Sequence, residues 1–173
     1  MMSKLIGVLA VDSNYGIGNE GKLLPFPRED MLHFQETVKD NVILCTGSTY
    51  KQMRKSLGEF FVFSRSPIYY VSAMKACSGA RYLLNQALKR AEVIKKDVYL
   101  CGGKRLYDLF QDEVNEWIIT LDENVYPSDC KLPWVETLFK SDTWKVEEIK
   151  QLTSQVKVYK VTRNVNDVTG DVV

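Results

Sequence analysis

The sequence predicts a single-domain α/β protein, and three observations support that class. Segments rich in Val, Ile, Leu and Tyr alternate with segments of helical periodicity along most of the 173-residue chain. These strand-like runs are apolar on both faces, as in a parallel sheet that helices cover on both sides. The last two segments instead flank a short polar turn, and the second alternates in character, which predicts a terminal antiparallel hairpin.

Five strands are predicted before the hairpin. They span residues 4–11, 41–45, 68–71, 97–101 and 116–122. The first resembles the apolar core of a signal peptide, but it is short, contains glycine and β-branched residues, and stops at Asp12. We therefore interpret it as a strand. The hairpin is predicted to join residues 144–149 to residues 155–162.

Three helices are predicted between the strands. The first covers residues 27–38, where Pro27 suits a helix start and where Glu29 and Asp30 lie at the end that favours negative charge. The second covers residues 81–94 and carries an apolar stripe at helical spacing, which we interpret as core packing. The third begins directly after two consecutive glycines that follow the fourth strand.

Composition and charge limit the classes of function. Hydrophobic residues make up 45% of the chain, charged residues 26%, and the formal net charge is +1. A chain so balanced is not expected to bind nucleic acid or a membrane surface, so a small-molecule partner is favoured. No apolar run reaches the ~18 residues that span a bilayer. The four cysteines are far apart and His33 is the single histidine, so we expect no metal site and reduced thiols in a cytoplasmic protein.

The strongest local signal is the segment VYLCGGKRLY, residues 98–107. An apolar strand breaks here at Gly102 and Gly103, and a helix begins at once. Consecutive glycines let a ligand approach the backbone, and the free amides of a helix start attract phosphate. The segment matches neither GxGxxG nor GxxxxGK[ST], so a tight turn without a ligand stays open as the alternative to a phosphate seat.

A second signal is the segment LPFPREDMLHF, residues 24–34, in which Asp30 and Phe34 lie one helical turn apart. This spacing places one carboxylate among apolar side chains, where desolvation raises a pKa and a cation-forming heterocycle can pair with the acid. Two alternatives stay open. An acid in the first turn of a helix can simply stabilise the helix dipole, and Glu29 is a competing acid.

Together and in order, these segments resemble the dihydrofolate reductase family from residue 4 to about residue 164. Residues 5–26 resemble the family's first strand, its mobile active-site loop and its Leu-Pro-Trp motif, with Phe26 for the tryptophan. Asp30 and Phe34 resemble its acid-and-aromatic pair. The further residues that carry the resemblance are Gly47, Thr49, Tyr50, Arg65, Ser72, Gly102, Gly103, Arg105, Tyr107, Thr120, Asp129 and Pro133.

The resemblance implies an eight-stranded, mostly parallel sheet and a monomer that reduces dihydrofolate to tetrahydrofolate with NADPH. That reaction supports one-carbon metabolism and thymidylate synthesis, and antifolates inhibit it. Asp30 is the expected catalytic residue. The expected substrate contacts are Ile6, Asp30, Met31, Phe34, Arg65, Cys101 and Thr120. The expected cofactor contacts are Val8, Ile17, Gly47, Ser48, Thr49, Ser72, Lys75, Gly102, Gly103, Lys104, Arg105, Leu106 and Tyr107. The family also has a cis peptide at the glycine pair.

Several finer expectations follow from the resemblance. Arg65, placed before the predicted strand 68–71, is expected to bind the α-carboxylate of the substrate's glutamate tail with its planar guanidinium. Ser48 stands where the family has a basic residue for the 2′-phosphate, so the preference for NADPH over NADH should be reduced. Residues 14–24, a glycine-rich loop, are expected to act as a lid. A reductase of another pterin or of a riboflavin precursor, or a non-catalytic nucleotide-binding protein, stays open as an alternative.

Overall fold

The computed structural model describes residues 2–66, 70 and 72–164. The strands in this part of the chain are β1 (Leu5–Val11), β2 (Gly16–Asn19), β3 (Lys22–Leu23), β4 (Val42–Thr46), β5 (Glu59–Phe63), β6 (Lys75–Cys77), β7 (Val98–Leu100), β8 (Glu116–Asp122), β9 (Cys130–Lys131), β10 (Trp144–Thr153) and β11 (Val156–Arg163). The α-helices are α1 (Arg28–Val38), α2 (Gly47–Lys51), α3 (Ala80–Ile94), α4 (Lys104–Phe110) and α5 (Val135–Lys140).

Eight strands form one mixed sheet in the order β10-β11-β8-β1-β7-β4-β5-β6. Parallel pairing runs from β1 through β7, β4 and β5 to β6. The strands β8, β11 and β10 pair antiparallel, and β10 with β11 forms the terminal hairpin. The predicted α/β class and the eight-stranded, mostly parallel sheet are confirmed.

Most of the predicted elements are present, with ends displaced by a few residues. The predicted strands 4–11, 41–45, 97–101 and 116–122 are β1, β4, β7 and β8, and the three predicted helices are α1, α3 and α4. The predicted strand 68–71 lies outside the described residues except for Tyr70. Strand β5 was not predicted, although its sequence EFFVF is rich in the aromatic and β-branched residues that strands favour.

Helix α3 shows why the helical pattern could be recognised. It buries Leu83, Leu84, Ala87 and Ala91, which recur at helical spacing on one face. The helix ends at Lys95, which adopts the left-handed conformation with φ of 58°. This apolar stripe packs in the core, as the sequence predicted.

Residues 14–24 are not an irregular loop, which corrects the prediction. They supply β2 and β3 to a small antiparallel sheet of order β3-β2-β9. Glu20 and Gly21 have φ of 53° and 77°, the positive values that a two-residue hairpin turn requires. Gly16 lies so close to Ser128 that a Cβ on Gly16 would stand 2.7 Å from the serine Oγ. Whether this segment acts as a lid stays a prediction.

The chain separates into two compact units. The first contains the described residues of Met1–Val8 and Met31–Val114, and the second those of Leu9–Asp30 and Asn115–Val173. The prediction of one domain over residues 1–173 stays a prediction. Within the ranges that the structure describes, no helix is both long enough and apolar enough to cross a membrane.

Candidate active site

Asp30 lies half-buried in the first turn of α1, in the second unit. Burial raises the pKa of Asp30 above its ordinary value of 3.8, and the nearby carboxylate of Asp122 adds to that increase. The hydroxyl of Thr120, a hydrogen-bond donor near the Asp30 carboxylate, lowers the pKa in part. The competing acid, Glu29, is exposed to solvent. The structure therefore favours Asp30 as the acid with a perturbed environment.

Asp122 is fully buried and follows Thr120 by two residues in β8. Its Oδ1 accepts hydrogen bonds from the backbone N and the Nδ2 of Asn124, at 2.9 and 2.8 Å. Its Oδ2 accepts a hydrogen bond from the Tyr126 hydroxyl at 2.8 Å. Because residues i and i+2 of a strand share a face, β8 presents Thr120 and Asp122 on the same side. The sequence analysis missed Asp122, whose signal was this spacing within an otherwise apolar strand.

A second buried carboxylate, Asp12, follows β1 directly. Its Oδ1 accepts the backbone amides of Asn14 and Gly16 at 3.0 and 2.8 Å, and its Oδ2 accepts that of Tyr126 at 2.9 Å. Tyr126 is thus held through its backbone by Asp12 and through its hydroxyl by Asp122. Backbone donors account for every one of these bonds to Asp12, so its role is to shape the turns after β1 and β8.

Two expected features of the second unit are apolar side chains, those of Phe26 and Ile17. The ring of Phe26, which replaces the family's tryptophan, packs edge-on against Tyr126 with ring centroids 6.1 Å apart. Ile17, an expected cofactor contact, is buried in β2.

In the first unit, β4 and β7 are parallel neighbours, so their carboxyl ends lie at the same edge of the sheet. Helix α2 begins at Gly47 directly after β4, and α4 begins soon after β7. The peptide between Gly102 and Gly103 is cis, as the resemblance implies. Gly102 has φ of 113°, and a Cβ on it would stand 3.3 Å from the Tyr107 ring and 3.4 Å from Thr49 Oγ1. A residue larger than glycine at position 102 would therefore fill the space beside Tyr107 and Thr49, which we call the glycine cradle.

Thr46, which directly precedes Gly47, is hydrogen-bonded to the glycine pair Gly102 and Gly103. Its amide donates to the carbonyl of Gly102 at 2.8 Å, and its hydroxyl oxygen accepts the amide of Gly103 at 3.0 Å. The same hydroxyl donates to Thr49 Oγ1 at 3.2 Å. Thr46 precedes α2 but its side chain does not cap that helix. The sequence analysis missed Thr46, although a threonine before a helix start is a recognisable signal.

The first amides of α4 follow the glycine pair directly along the chain. The first helical amides with an intrahelical acceptor belong to Leu106 and Tyr107, and both donate to the carbonyl of Gly103 at 3.1 Å. The amides of Lys104 and Arg105 precede them and have no acceptor within the helix. Such amides are suited to an anion such as a phosphate.

The side chains of α4 have defined partners. Tyr107 donates its hydroxyl to the carbonyl of Val8 at 2.5 Å. Lys104 forms an ion pair with Asp108 at 2.8 Å, and the Arg105 guanidinium lies 5.3 Å from the centre of the Phe63 ring. The charge of Lys104 is therefore paired with an acid of α4, whereas that of Arg105 is not.

Arg65 and Ser48 lie at the same edge of the sheet. Strand β5 ends at Phe63, whose partner in the parallel strand β4 is Thr46. Arg65 follows that end by two residues and is exposed, and Ser48 follows Thr46 by two residues and is also exposed. Arg65 thus follows a strand that the sequence analysis had not predicted.

Ser72 and Lys75, both expected at the cofactor, already have partners within the first unit. The Ser72 hydroxyl is hydrogen-bonded to the hydroxyl of Tyr50. Lys75 Nζ donates to the Tyr82 hydroxyl at 3.3 Å and lies 5.1 Å from the centre of that ring. An arriving phosphate would have to compete with these contacts.

The expected pterin contacts of the first unit differ in exposure. Ile6 is buried in β1, Phe34 is half-buried, and Met31 is 41% exposed. Cys101 is buried, and burial raises the pKa of its thiol. Its thiol is therefore unreactive. Helix α1 consequently leaves apolar surface uncovered, which a flat apolar ligand could cover.

Known proteins match this chain over most of its length. The family profile described as Dihydrofolate reductase matches residues 4–165. The chain is 26% identical over 121 residues to the dihydrofolate reductase of Ureaplasma parvum, an alignment that covers 69% of this chain and 74% of that protein. It is 24% identical over 131 residues to the dihydrofolate reductase of Mycoplasma genitalium, covering 72% of this chain and 80% of that protein.

Proposed function

The chain belongs to the dihydrofolate reductase family, and we propose that Asp30 is the residue on which its chemistry depends. The enzyme reduces dihydrofolate to tetrahydrofolate with NADPH as cofactor, and its family binds antifolates. The observation that carries the assignment is the half-buried Asp30 carboxylate, whose pKa is raised by burial, with the donor hydroxyl of Thr120 near it. An acid in that setting suits a substrate that becomes a cation during the reaction.

The proposed role of Asp30 follows from where charge develops. When bound in the first unit, NADPH would supply the hydride that reduces carbon C6 of the pterin, while N5 of the ring would gain a proton. The Asp30 carboxylate binds the 2-amino edge of the pterin and stabilises the protonated ring electrostatically. Thr120 fixes the orientation of that carboxylate. The proton itself comes from solvent in this scheme, because the carboxylate serves best when it stays ionised beside the cation.

The apolar surface of α1 and β1 supports the proposed pterin contacts. Phe34, Met31 and Ile6 offer flat or flexible apolar surface to the ring, and the carbonyls of Ile6 and Cys101 accept hydrogen bonds from its amino groups. Cys101 would act through its backbone, since its thiol is buried and unreactive.

The glycine cradle fits the pyrophosphate of NADPH. A Cβ at Gly102 would occupy the space beside Thr49 and Tyr107, so the absence of a side chain leaves room for a ligand. The amides of Lys104 and Arg105 donate to the phosphates, and Thr49 adds a hydroxyl contact. The remaining proposed cofactor contacts are Val8, Ile17, Gly47, Ser48, Ser72, Lys75, Gly103, Leu106 and Tyr107.

Arg65 has two possible ligands within this function. The resemblance assigns it to the carboxylate tail of dihydrofolate. Its place after β5, at the sheet edge that also carries Ser48, instead favours the 2′-phosphate of NADPH. We propose the cofactor phosphate, because an exposed guanidinium beside Ser48 supplies the positive charge that Ser48 lacks.

One assay tests the function as a whole. Consumption of NADPH is followed with dihydrofolate, with other oxidised pterins and with a riboflavin precursor as separate substrates. We expect turnover with dihydrofolate and its loss in the presence of an antifolate. Turnover with the riboflavin precursor alone, or binding of NADPH without any turnover, would support one of the two alternatives.

Further features of the protein belong to the same proposal. We propose a monomer of one domain that works in the cytoplasm without a nucleic-acid or membrane partner. The near-zero net charge and the match of one family profile to residues 4–165 support this view. Sedimentation of the purified chain tests the monomer directly.

A further inference from the structure

Lys104 is the first residue of α4 and directly follows Gly103 of the glycine pair. Its backbone amide is one of the two that we assign to the cofactor phosphates, so the base of its side chain lies beside them. A lysine has a long, flexible stem and a compact charged donor group, which phosphates bind as a point charge. The function proposed above uses the amide of Lys104 and leaves its charge without a role.

In the structure, that charge is paired with Asp108. The Nζ of Lys104 lies 2.8 Å from Oδ2 of Asp108 and donates a hydrogen bond to it. Asp108 is four residues further along α4, so it lies one helical turn farther from the glycine cradle than Lys104 does. The bond therefore draws the ammonium group along the helix and away from Gly103.

This ion pair is weak enough for a phosphate to replace it. The side chains of Lys104 and Asp108 are 44% and 38% exposed, and an exposed pair at this spacing contributes little to stability. A phosphate offers more negative charge and several acceptor oxygens, and charge-assisted hydrogen bonds to it are among the strong ones. A phosphate bound to the first amides of α4 can therefore take the ammonium group from Asp108.

The neighbouring cation, Arg105, is positioned in a different way. Its guanidinium lies 5.3 Å from the centre of the Phe63 ring, so an aromatic face holds it. Removal of the Asp108 carboxylate should therefore release Lys104 and leave Arg105 in place. This difference allows the charge of Lys104 to be tested by itself.

We propose that the Lys104 side chain binds the pyrophosphate of the cofactor, and that Asp108 is a positioning residue that competes with the pyrophosphate for its ammonium group. This inference rests on the proposed function. Because the cofactor has to break the ion pair in order to gain Lys104, Asp108 lowers the affinity of the chain for the cofactor. The same competition hastens release of the bound cofactor, and release limits the turnover of many enzymes.

The first experiment measures the Kd of NADPH and of NADH for D108N by calorimetric titration. We expect both cofactors to bind about threefold more tightly than to the unmodified protein, because Lys104 is released and a repelling charge is removed. The gain should be equal for the two cofactors, since both contain the pyrophosphate. It should shrink as salt is added, because the two side chains are exposed.

The matched control is E92Q, which removes the same charge from an exposed residue of α3. Helix α3 ends at Ile94, shortly before β7 begins, whereas the glycine pair follows the end of β7. Glu92 therefore lies toward the opposite edge of the sheet from the glycine cradle. E92Q should leave both Kd values unchanged, and a gain in E92Q equal to that in D108N would mean that net charge alone sets the affinity.

The second experiment repeats the titrations with K104M and with the double variant K104M/D108N. Methionine keeps an apolar stem without the charge, so K104M should bind both cofactors about threefold or more weakly. In the K104M background, D108N should improve the affinity by no more than about 1.5-fold, because no ammonium group remains to be released. Circular dichroism checks that the variants are folded, and K104M tests the phosphate contact without any change at Asp108.

Several outcomes overturn the proposal. Unchanged cofactor binding in D108N would show that the ion pair does not oppose the cofactor, and unchanged binding in K104M would show that Lys104 does not contact the pyrophosphate. An equal gain from D108N with and without Lys104 would mean that Asp108 acts by direct repulsion. A gain for NADPH without one for NADH would mean that Lys104 meets the 2′-phosphate instead.

These titrations also separate the inference from the proposed function, because they contain no dihydrofolate. The expected pattern in a chain that binds NADPH without reducing dihydrofolate would leave the inference standing and the proposed function wrong. An active reductase whose D108N variant binds both cofactors unchanged would overturn the inference alone. A chain that binds neither NADPH nor NADH would overturn both.

Discussion

The hydroxyl of Thr46 accepts the amide hydrogen of Gly103 at 3.0 Å, across 57 positions of sequence. The two residues belong to segments that follow neighbouring parallel strands, and the bond holds the glycine cradle against the start of α2. Because Thr46 also donates to Thr49, one hydroxyl orders two of the proposed contacts of the cofactor.

Replacing Thr46 by valine should weaken NADPH binding and lower the stability of the fold. The change leaves the amide of Gly103 without its acceptor, which costs about 1–3 kcal/mol where water does not replace it. Calorimetric titration with NADPH and urea unfolding measure the two effects. T46S keeps the hydroxyl and is the control, so it should bind NADPH nearly as the unmodified protein does. A loss in T46S as large as that in T46V would mean that side-chain packing at this position, and not the hydroxyl, governs binding.

Replacing Asp30 by asparagine should reduce hydride transfer at neutral pH by a factor on the order of 100 or more, with the fold intact. One preorganised charge at a reacting centre is typically worth that much. Single-turnover measurements with dihydrofolate and NADPH give the rate. E29Q is the matched control because Glu29 is the adjacent, exposed acid. Greater damage in E29Q than in D30N would assign the chemistry to Glu29.

The same substitution should stabilise the protein at neutral pH. The pKa of Asp30 is raised in the folded state, mainly by burial, so the folded state binds a proton more tightly than the unfolded state does. The contribution of Asp30 to stability is then favourable at acidic pH and is lost as pH rises from its ordinary value of 3.8 through the raised value. D30N has no ionisable group at position 30, so it does not lose this stability as the pH rises. Thermal melts should show a higher melting temperature for D30N at neutral pH and a smaller advantage in acid.

The features that the sequence predicted are those with a local pattern. Asp30 and Phe34 lie one helical turn apart in α1, and the glycine pair begins two residues after the end of β7. The order of the strands is not local, and the eight-stranded sheet was predicted from the family resemblance. Residues 14–24 were predicted to form a loop because they resemble the family's active-site loop and are rich in glycine. In the structure β2 pairs with both β3 and β9, and β9 is distant in sequence.

The site residues that were missed depend on partners distant in sequence. Thr46 can bond to Gly103 only because β4 and β7 are neighbours in the sheet. Asp122 can affect Asp30 only because the fold brings these two residues, far apart in sequence, near each other. Strand β5, which the sequence analysis did not predict, changes the position expected for Arg65 in the sheet. Once β5 is recognised, Arg65 follows a strand end rather than preceding a strand.

Replacing Arg65 by alanine should therefore weaken NADPH binding by about tenfold or more while NADH binding changes little, because loss of a charged contact to phosphate costs about 1.5–3 kcal/mol. Equilibrium titration with both cofactors and with dihydrofolate measures this. K89A, which removes an exposed positive charge from α3 in the first unit, is the control. A selective loss of dihydrofolate affinity in R65A would return Arg65 to the substrate tail.

The preference for NADPH should also respond to position 48. Ser48 is exposed at the carboxyl edge of β4, two residues after the partner of Phe63, so an arginine there can reach an anion held near Arg65. S48R should widen the preference for NADPH over NADH by about 1 kcal/mol. The gain should shrink as salt is added, because exposed charges are screened within about 10 Å at 0.1 M salt. The ratio of kcat/KM for the two cofactors at low and high salt measures the effect. An unchanged ratio in S48R would mean that the 2′-phosphate lies away from Ser48, and a gain that salt does not reduce would mean that the arginine acts by packing rather than by charge.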